Sequence, residues 1–276
     1  YCSLMSRLLR SFYKTNNKNF GKNFIKSIHD KIDKNIYRTP LQFNERLSKK
    51  FNANIYLKRE DLQKTRSFKI RGSLSKILNC NQNDLVCASA GNHAQGVAYS
   101  CNLLGLRGKV FVPLTTPEQK KKRILHYGGK NIELISVGNN FSECLNHSLE
   151  YSLEKSYTFI HPYDDLDVIY GQSTIAYEIF QEMEPDIIVS CVGGGGMISG
   201  IGSYIKDNEL NCSIFGGEPE NADSLYQSLL QNERIKIENI DSFVDGASVS
   251  QIGEIPFDIC TNKLNLRKED IKIGRA

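Results

Sequence analysis

The chain has 276 residues, of which 40% are hydrophobic and 24% charged, and it carries a formal net charge of +4. This composition is typical of a globular protein that is long enough for one large core or two lobes. No run of about 18 apolar residues occurs, so the sequence predicts no membrane-spanning helix. The basic residues are scattered, which gives no electrostatic case for nucleic acid as the main partner.

The first 29 residues form a basic segment with no acidic residue before Asp30. Six lysines and arginines are mixed there with serines and apolar residues, which predicts either an organelle transit peptide or a poorly ordered basic tail. The expected location is therefore the cytoplasm, a mitochondrion or a plastid. Eight cysteines are spread singly along the chain without a CxxC pair, which is typical of buried thiols in a reducing compartment.

From residue 30 onward, apolar runs alternate with amphipathic segments. The pattern predicts strands at 54–58, 85–88, 109–112, 131–137, 158–160, 186–192 and 213–215. It predicts helices at 41–51, 92–104, 117–127, 142–155, 172–183, 197–206 and 222–230. Strands that alternate with helices in this way favour an α/β fold with parallel sheets covered by helices on both faces.

Lys69 lies in the stretch Ser67-Phe68-Lys69-Ile70-Arg71-Gly72, just before a predicted helix. Its aromatic and aliphatic neighbours predict a desolvated amine, because burial disfavours the ammonium form and frees a nucleophilic lone pair for carbonyl chemistry. The alternative is an ordinary surface lysine at the start of a helix. Residues further along the chain favour the first interpretation.

A run of four glycines joins the predicted strand 186–192 to the helix that starts at Met197; these are Gly193, Gly194, Gly195 and Gly196. Glycines permit positive φ angles and close approach of the backbone, and a helix start presents free N–H groups to an anion. We interpret the run as a phosphate cradle rather than a flexible linker. It matches neither a Walker loop nor a GxGxxG motif, which makes ATP and NAD less attractive ligands.

A second small-residue loop follows the strand 85–88 and opens a helix; it consists of Ser89, Ala90, Gly91, Asn92 and His93. Its backbone N–H groups can hold a carboxylate, and Asn92 adds a side-chain donor. His93 is interpreted as structural. An amine, a phosphate cradle and a carboxylate loop together predict an amino-acid substrate and pyridoxal 5'-phosphate as the cofactor.

The chain resembles the fold-type II pyridoxal-phosphate enzymes of the threonine dehydratase and serine racemase group. The resemblance covers roughly residues 37–262 and rests on six ordered motifs, which are Tyr37–Leu41, Tyr56–Gln63, Ser67–Gly72, Ser89–Gly96, Gly193–Gly196 and Phe243–Ala247. It implies an α/β, tryptophan synthase β-like architecture of two lobes, each with a mostly parallel sheet flanked by helices. Residues 30–75 and 168–276 would form the large lobe, and residues 76–167 the small lobe.

The resemblance also implies roles for the residues named above. Lys69 would be the Schiff-base lysine and the base that removes the Cα proton, and Phe68 would line the cofactor. Asn92 would bond the 3′ oxygen of the ring, and Ser89–His93 would take the substrate carboxylate. The phosphate would be held by Gly193–Gly196 together with Met197.

The implied reaction is dehydration and deamination of L-threonine to 2-oxobutanoate and ammonia on the isoleucine route, with L-serine also accepted. One alternative is a serine racemase or serine dehydratase, but serine racemases carry a serine where Ala90 stands. Because alanine has no proton to donate on the opposite face of the substrate, we expect weak racemisation. A second alternative is a truncated, inactive paralogue that only binds partners.

Three departures from the family pattern lead to further expectations. Glu218 and the Ala222 carbonyl match a racemase-type cation site, but its last acidic ligand is replaced by Ser224, so no functional metal is expected. The stretch Tyr170-Gly171-Gln172-Ser173-Thr174 stands where the family usually has Ala-Gly-Gln-Gly-Thr, and it is expected to crowd a loop beside the site.

The third departure concerns the ends of the sequence, which begins with Tyr1 rather than Met. In the family, the serine or threonine that meets the pyridine nitrogen lies downstream of residue 276. We therefore expect a fragment in which the C-terminal part of the large lobe is missing. Our hypothesis is that the 276-residue chain is poorly active or unstable, and that the full gene product is a dehydratase and a homo-oligomer.

Overall fold

The computed structural model describes residues 19–241 and 243–274. In chain order the strands are β1 (Leu41–Phe43), β2 (Tyr56–Lys58), β3 (Asp84–Ala88), β4 (Arg107–Val112), β5 (Ile132–Ser136), β6 (Thr158–Phe159), β7 (Ile187–Cys191), β8 (Ser213–Pro219) and β9 (Ile271–Gly274). The α-helices of the described residues are α1 (Lys22–Ile32), α2 (Glu45–Phe51), α3 (Lys69–Asn79), α4 (Asn92–Leu104), α5 (Glu118–Gly128), α6 (Phe141–Lys155), α7 (Leu166–Ile179), α8 (Gly196–Asp207), α9 (Ser224–Gln231) and α10 (Glu254–Asp258).

The first parallel sheet has four strands in the order β5-β4-β3-β6. Its central strand β3 is apolar and almost fully buried, because α4 and α5 cover one face and α6 the other. The sheet lies inside the residues that were assigned to the small lobe. The carboxyl ends of β3 and β6 point towards the loops that begin at Ser89 and Ile160, and ligands of open parallel sheets bind at such edges.

The second parallel sheet has three strands in the order β7-β8-β9. Helices α7 and α8 pack against each other beside it, and their facing residues build a core that includes Ile169, Ile201 and Tyr204. This sheet lies inside the residues assigned to the large lobe. The two parallel sheets flanked by helices confirm the predicted fold class, whereas the lobe boundaries at residues 75 and 168 stay a prediction.

Helix α3, which begins at Lys69, crosses α7 at a very short distance. A Cβ placed on Gly72 would overlap Gln172, and one placed on Gly171 would overlap the Arg71 carbonyl oxygen. The missing side chains therefore let the two backbones touch. This contact fixes the start of α3 to the helices of the second sheet.

Helix α1 shows that the predicted N-terminal boundary at residue 29 is wrong. Phe20 and Ile25 are fully buried in the core beside α7, and the ring of Phe20 lies 4.8 Å from that of Tyr170. The apolar residues of this stretch recur every three or four positions, which suits one face of a helix packed on a core. Residues 1–18 of the predicted leader lie outside the described residues.

Two other elements differ from their predicted form. Residues 41–43 form strand β1 rather than the start of a helix, because they pair with β2 in an antiparallel ladder. Helix α7 begins at Leu166 instead of residue 172, and Asp165 caps it by accepting from two backbone N–H groups.

Within the described residues, no helix has both the length and the apolar character needed to cross a membrane.

Candidate active site

Lys69 is the first residue of α3, and its side chain is half-buried. Its Nζ donates to the carbonyl oxygen of Pro162 across 2.9 Å and lies 5.4 Å and 5.8 Å from the ring centroids of Phe68 and Tyr163. Burial among these groups lowers the pKa of Lys69 to about 8. About a tenth of the amine is therefore neutral at pH 7, far more than at the ordinary lysine pKa of about 10.4, and a nucleophile or a base requires this neutral form.

The four-glycine run leads from β7 into the first residue of α8, and residues from other parts of the chain pack closely against its backbone. A Cβ on Gly194 would overlap the ring of Tyr163, and one on Gly193 would lie 3.0 Å from the carbonyl oxygen of Ala247. Gly195 has a φ of +86°, in the left-handed region that favours glycine. The first turn of α8 leaves its N–H groups without intrahelical partners, so the run has the form of an anion cradle.

The predicted carboxylate loop connects β3 to α4, with Gly91 as the N-cap and Asn92, which is exposed, as the first helical residue. The backbone N–H of Gly91 bonds to the hydroxyl of Ser89 at 3.2 Å. Ala90 is half-buried and packs against the core of the first sheet. The loop therefore presents its backbone and Asn92 at the mouth of the site.

His93 is buried at the start of α4, where its Nε2 donates to the carbonyl oxygen of Ile160 at 2.8 Å. Burial, and then the charge of Lys69, lower the pKa of His93 to about 3, so the ring is neutral. These contacts suit the structural role that was expected for it. Of the remaining predicted residues, Met197 is half-buried and packs against the core around α7 and α8.

The segment after β6 contains site residues that the sequence reasoning missed. Tyr163 contacts both the Lys69 amine and Gly194, so it joins the amine to the anion cradle. Nδ1 of His161 accepts from the backbone N–H groups of Tyr163 and Asp164 at 3.3 Å and 2.7 Å, which leaves the ring proton on Nε2. The sequence signal was a polar cluster directly after a strand, at the edge where ligands bind.

The segment 243–249, noted in the sequence only as part of the resemblance, spans the two loops. A Cβ on Gly246 would lie 3.9 Å from Nδ2 of Asn92, and one on Gly91 would lie 3.8 Å from Oδ2 of Asp245. Further along the segment, the Ala247 carbonyl oxygen would lie 3.0 Å from a Cβ on Gly193. The structure thus brings Asn92, Asp245 and Gly193 to one opening, beside the segment that holds Lys69.

The groups that line the site fit a phosphate-bearing carbonyl compound. It offers a buried amine with a lowered pKa, a glycine cradle that a single Cβ would fill, and a second helix-opening loop for a carboxylate. This donor set matches pyridoxal phosphate and an amino acid. The sequence profile of the family described as "Pyridoxal-phosphate dependent enzyme" matches residues 32–272.

The chain belongs to the pyridoxal-phosphate-dependent enzyme family. It is 46% identical over 231 residues to the biosynthetic L-threonine dehydratase of Halalkalibacterium halodurans, which covers 82% of this chain and 56% of that relative. It is 44% identical over 235 residues to the biosynthetic L-threonine dehydratase of Bacillus subtilis, covering 83% of this chain and 56% of the relative. The chain thus spans little more than half the length of the curated relatives it matches.

Solved structures of the family have the same fold. The processed form of threonine deaminase isoform 2 from Solanum lycopersicum has a TM-score of 0.84 at 34% identity, over 92% of this chain and 69% of that one. Serine racemase from Dictyostelium discoideum has a TM-score of 0.79 at 31% identity, over 93% of this chain and 81% of that one. These matches confirm the fold-type II architecture and the cofactor that the sequence predicted.

The racemase-type cation candidates lie at the end of β8 and the start of α9. The two carboxylate oxygens of Glu218 accept from the N–H groups of Leu225 and Tyr226 at 2.9 Å and 2.8 Å, which caps α9. Burial outweighs these hydrogen bonds and raises the pKa of Glu218 to about 7. The buried hydroxyl of Ser224 has no hydrogen-bond partner, and the described residues contain no group of three metal-ligating side chains.

The stretch Tyr170–Thr174 lies inside α7, so it does not crowd a loop and that expectation is wrong. Ser173 is fully buried there, and its hydroxyl donates to the Tyr170 carbonyl oxygen at 2.6 Å. Gly200 of α8 lets the two helix backbones approach each other here, because a Cβ there would lie 2.7 Å from the Ile169 carbonyl oxygen and 2.9 Å from the Ser173 nitrogen. The departure is accommodated where two helices cross.

Proposed function

We propose that the full protein is an L-threonine ammonia-lyase of the isoleucine route, which converts L-threonine to 2-oxobutanoate and ammonia and also accepts L-serine. The observation that carries the proposal is the position of the Lys69 amine beside Tyr163 and the anion cradle, with the carboxylate loop at the same opening. The identity to two biosynthetic threonine dehydratases supports the choice of substrate.

Pyridoxal phosphate, when bound, withdraws electrons from the substrate Cα and so makes its proton acidic. Gly193, Gly194, Gly195, Gly196 and Met197 would hold the phosphate through the N–H groups at the start of α8. Phe68 and Tyr163 flank the Lys69 amine and exclude water from it. Asn92 would bond a polar atom of the cofactor ring.

Lys69 is the residue that moves the proton. With a pKa of about 8, it holds a free lone pair on Nζ in about a tenth of molecules at pH 7, and in this form it can accept the Cα proton. The N–H groups of Ser89, Ala90 and Gly91 would orient the substrate carboxylate. Loss of the β-hydroxyl as water, followed by hydrolysis of the carbon–nitrogen bond, gives the oxo acid and ammonia.

Serine racemisation is the second candidate, because the Dictyostelium discoideum serine racemase has the same fold at 31% identity. Ala90 speaks against it, since a methyl group cannot deliver a proton to the face opposite Lys69. The Ala90→Ser variant is expected to gain D-serine formation from L-serine. If wild type forms D-serine faster than it consumes threonine, the racemase assignment replaces the dehydratase.

The decisive experiment measures 2-oxobutanoate release from L-threonine by the purified protein supplied with pyridoxal phosphate, with Lys69→Arg as the control. The lyase proposal expects the visible absorbance of a lysine-bound cofactor and turnover, and it expects both to vanish in the variant. A protein without that absorbance would instead be the binding-only paralogue. A protein that binds the cofactor without turnover of threonine or serine contradicts the proposed activity.

The assembly and the location of the protein are also proposals. We expect a homo-oligomer, which light scattering of the purified protein tests. The leader was predicted for residues 1–29, of which residues 1–18 lie outside the described part of the chain. A fluorescent fusion of residues 1–29 tests whether they direct a reporter to an organelle.

A further inference from the structure

We propose that the ion pair between Lys120 and Asp245 is an electrostatic latch that holds the segment 243–249 across the mouth of the site. Nζ of Lys120 lies 2.7 Å from Oδ1 of Asp245. The inference deepens the proposed function and rests on it, because it assigns Asp245 as a positioning residue for the cofactor and the substrate of that same site.

The latch joins two separate parts of the molecule. Lys120 lies in the first turn of α5, which packs on the first sheet, and Asp245 follows it by 125 residues in a segment beside the second sheet. On the same helix, Lys121 bonds to Glu118 at 3.0 Å, within one turn. The two neighbouring lysines therefore have different kinds of partner. Lys121 pairs with a residue of its own helix, whereas Lys120 pairs with a residue of the segment 243–249.

Hydrogen bonds within the segment 243–249 and to Asp241 connect its residues to one another. The N–H groups of Ala247 and Ser248 both bond to the Val244 carbonyl oxygen, at 2.9 Å and 3.0 Å. The Ser248 hydroxyl donates to the carbonyl oxygens of Asp241 and Val244. We therefore expect a displacement of Asp245 to move Gly246 and Ala247 with it.

Gly246 and Ala247 are the residues that face the two anion loops. A Cβ on Gly246 would lie 3.9 Å from the Asn92 amide nitrogen, and one on Gly193 of the cradle would lie 3.0 Å from the Ala247 carbonyl oxygen. With the latch closed, one hydrogen-bonded segment therefore lies beside both loops. With the latch open, Asn92 and the cradle lose this common support, which weakens binding of the cofactor and of the substrate.

The pair has the exposure expected of a reversible contact. The side chains of Lys120 and Asp245 are 37% and 64% exposed. Exposed ion pairs shift an equilibrium by a few-fold at most and are weakened by salt. The latch would therefore bias the segment between open and closed without contributing much to the stability of the fold.

The test compares Lys120→Glu, Asp245→Lys and the double variant that swaps the two charges, with Lys121→Glu as the matched control. The first readout is the Kd for pyridoxal phosphate, and the second is hydrogen exchange of residues 243–249 in the protein without cofactor. Each single variant is expected to raise the Kd about two- to fivefold at low salt and to speed exchange. The swap is expected to restore both values, and the control to leave them unchanged.

Salt gives an independent arm of the same test. In wild type, added NaCl is expected to raise the Kd and speed exchange, and in Lys120→Met it is expected to change either value much less. Single variants that match wild type, or a charge swap that fails to restore exchange, would overturn the latch. Hydrogen exchange is measured without cofactor or substrate, so it tests the latch even in a protein that does not turn over threonine. Absence of threonine turnover would contradict only the proposed function.

Discussion

Nζ of Lys69 donates to the carbonyl oxygen of Pro162 across 2.9 Å, although the two residues are 93 positions apart. The contact joins the first turn of α3 to the segment that leaves the first sheet. The next residue, Tyr163, touches the glycine cradle. One short segment therefore sets the position of the amine relative to the anion site.

We expect Lys69 to react as an amine with a pKa of about 8. In the protein without cofactor, the initial rate of labelling of Lys69 by an amine-specific reagent should rise with pH and reach half of its plateau near pH 8. Mass spectrometry of the peptide that contains Lys69 measures this rate. The reason is that burial disfavours the charged form and so leaves the lone pair free at lower pH.

The control for that titration is the same protein unfolded in urea, in which burial is absent and lysine titrates near its ordinary value of about 10.4. A half-maximal pH in the folded protein that coincides with that of the unfolded protein would show that Lys69 is not desolvated. It would also remove the physical basis for its role as a base near neutral pH.

The Gly194→Ala variant is expected to lose most of its affinity for pyridoxal phosphate. The new methyl group would overlap the ring of Tyr163, so the cradle and the Tyr163 side chain must move apart. Gly217→Ala is the matched control, because nothing lies within 4 Å of a Cβ at that position in β8. Fluorescence titration with the cofactor should show at least a tenfold larger Kd for the first variant; equal affinities would contradict the cradle.

Arg71 and Glu178 form a fully buried ion pair beside the site, and its loss should be costly. Arg71 Nη1 lies 2.7 Å from Glu178, its Nη2 lies 2.8 Å from Glu60, and Lys58 approaches Glu178 at 2.6 Å. Arg71→Met would leave two carboxylates in the core without their guanidinium. We expect the free energy of unfolding to fall by about 3–5 kcal/mol, as measured by urea unfolding.

The control is Arg107→Met, since Arg107 pairs with Asp84 at 2.7 Å but is 76% exposed. Its loss should cost less than about 1 kcal/mol.

The same ion pair should make stability depend on pH through Glu178. Burial alone would raise the pKa of Glu178, but the hydrogen bonds and charges of His29, Arg71 and Lys58 outweigh it and lower the pKa well below its usual range. The stabilisation is therefore present above about pH 4.3 and lost as the pH falls below it, and Glu178→Gln should lack this dependence.

Glu218 should give stability the opposite dependence on pH. Its folded-state pKa of about 7 lies above the unfolded value of about 4.3, so the folded protein holds the extra proton between these two values. The contribution of Glu218 to the free energy of unfolding is present below about pH 4 and falls as the pH rises to 7. In Glu218→Gln this fall, of up to about 4 kcal/mol, should vanish; equal slopes of stability against pH in both proteins would refute the assignment.

The sequence predicted well those elements whose own residues determine them. Helix α4 has the predicted bounds because a glycine opens it and Gly105, in the left-handed region, ends it. Strands β3, β5 and β7 were found within two residues of their ends, since an apolar run bounded by polar residues and glycines leaves little choice. The amine, the cradle and the carboxylate loop all lie on such elements.

The sequence could not predict features that depend on partners far along the chain. Strand β1 exists because β2 pairs with it, and its own residues suit a helix equally well. Tyr163 was missed because its contacts are with Lys69 and Gly194, and no local pattern marks an aromatic ring that fills the space above a glycine. The contact of Lys120 with Asp245 is of the same kind.

The crossing of Ser173 and Gly200 has a consequence for related sequences. A side chain at 200 would meet the backbone of α7, at the Ile169 carbonyl oxygen and the Ser173 nitrogen, and these atoms are present whatever side chain stands at 173. We therefore expect homologues to keep glycine at position 200 whether they carry serine or glycine at position 173. An alignment of such homologues would show a fixed glycine in α8 opposite a variable position in α7.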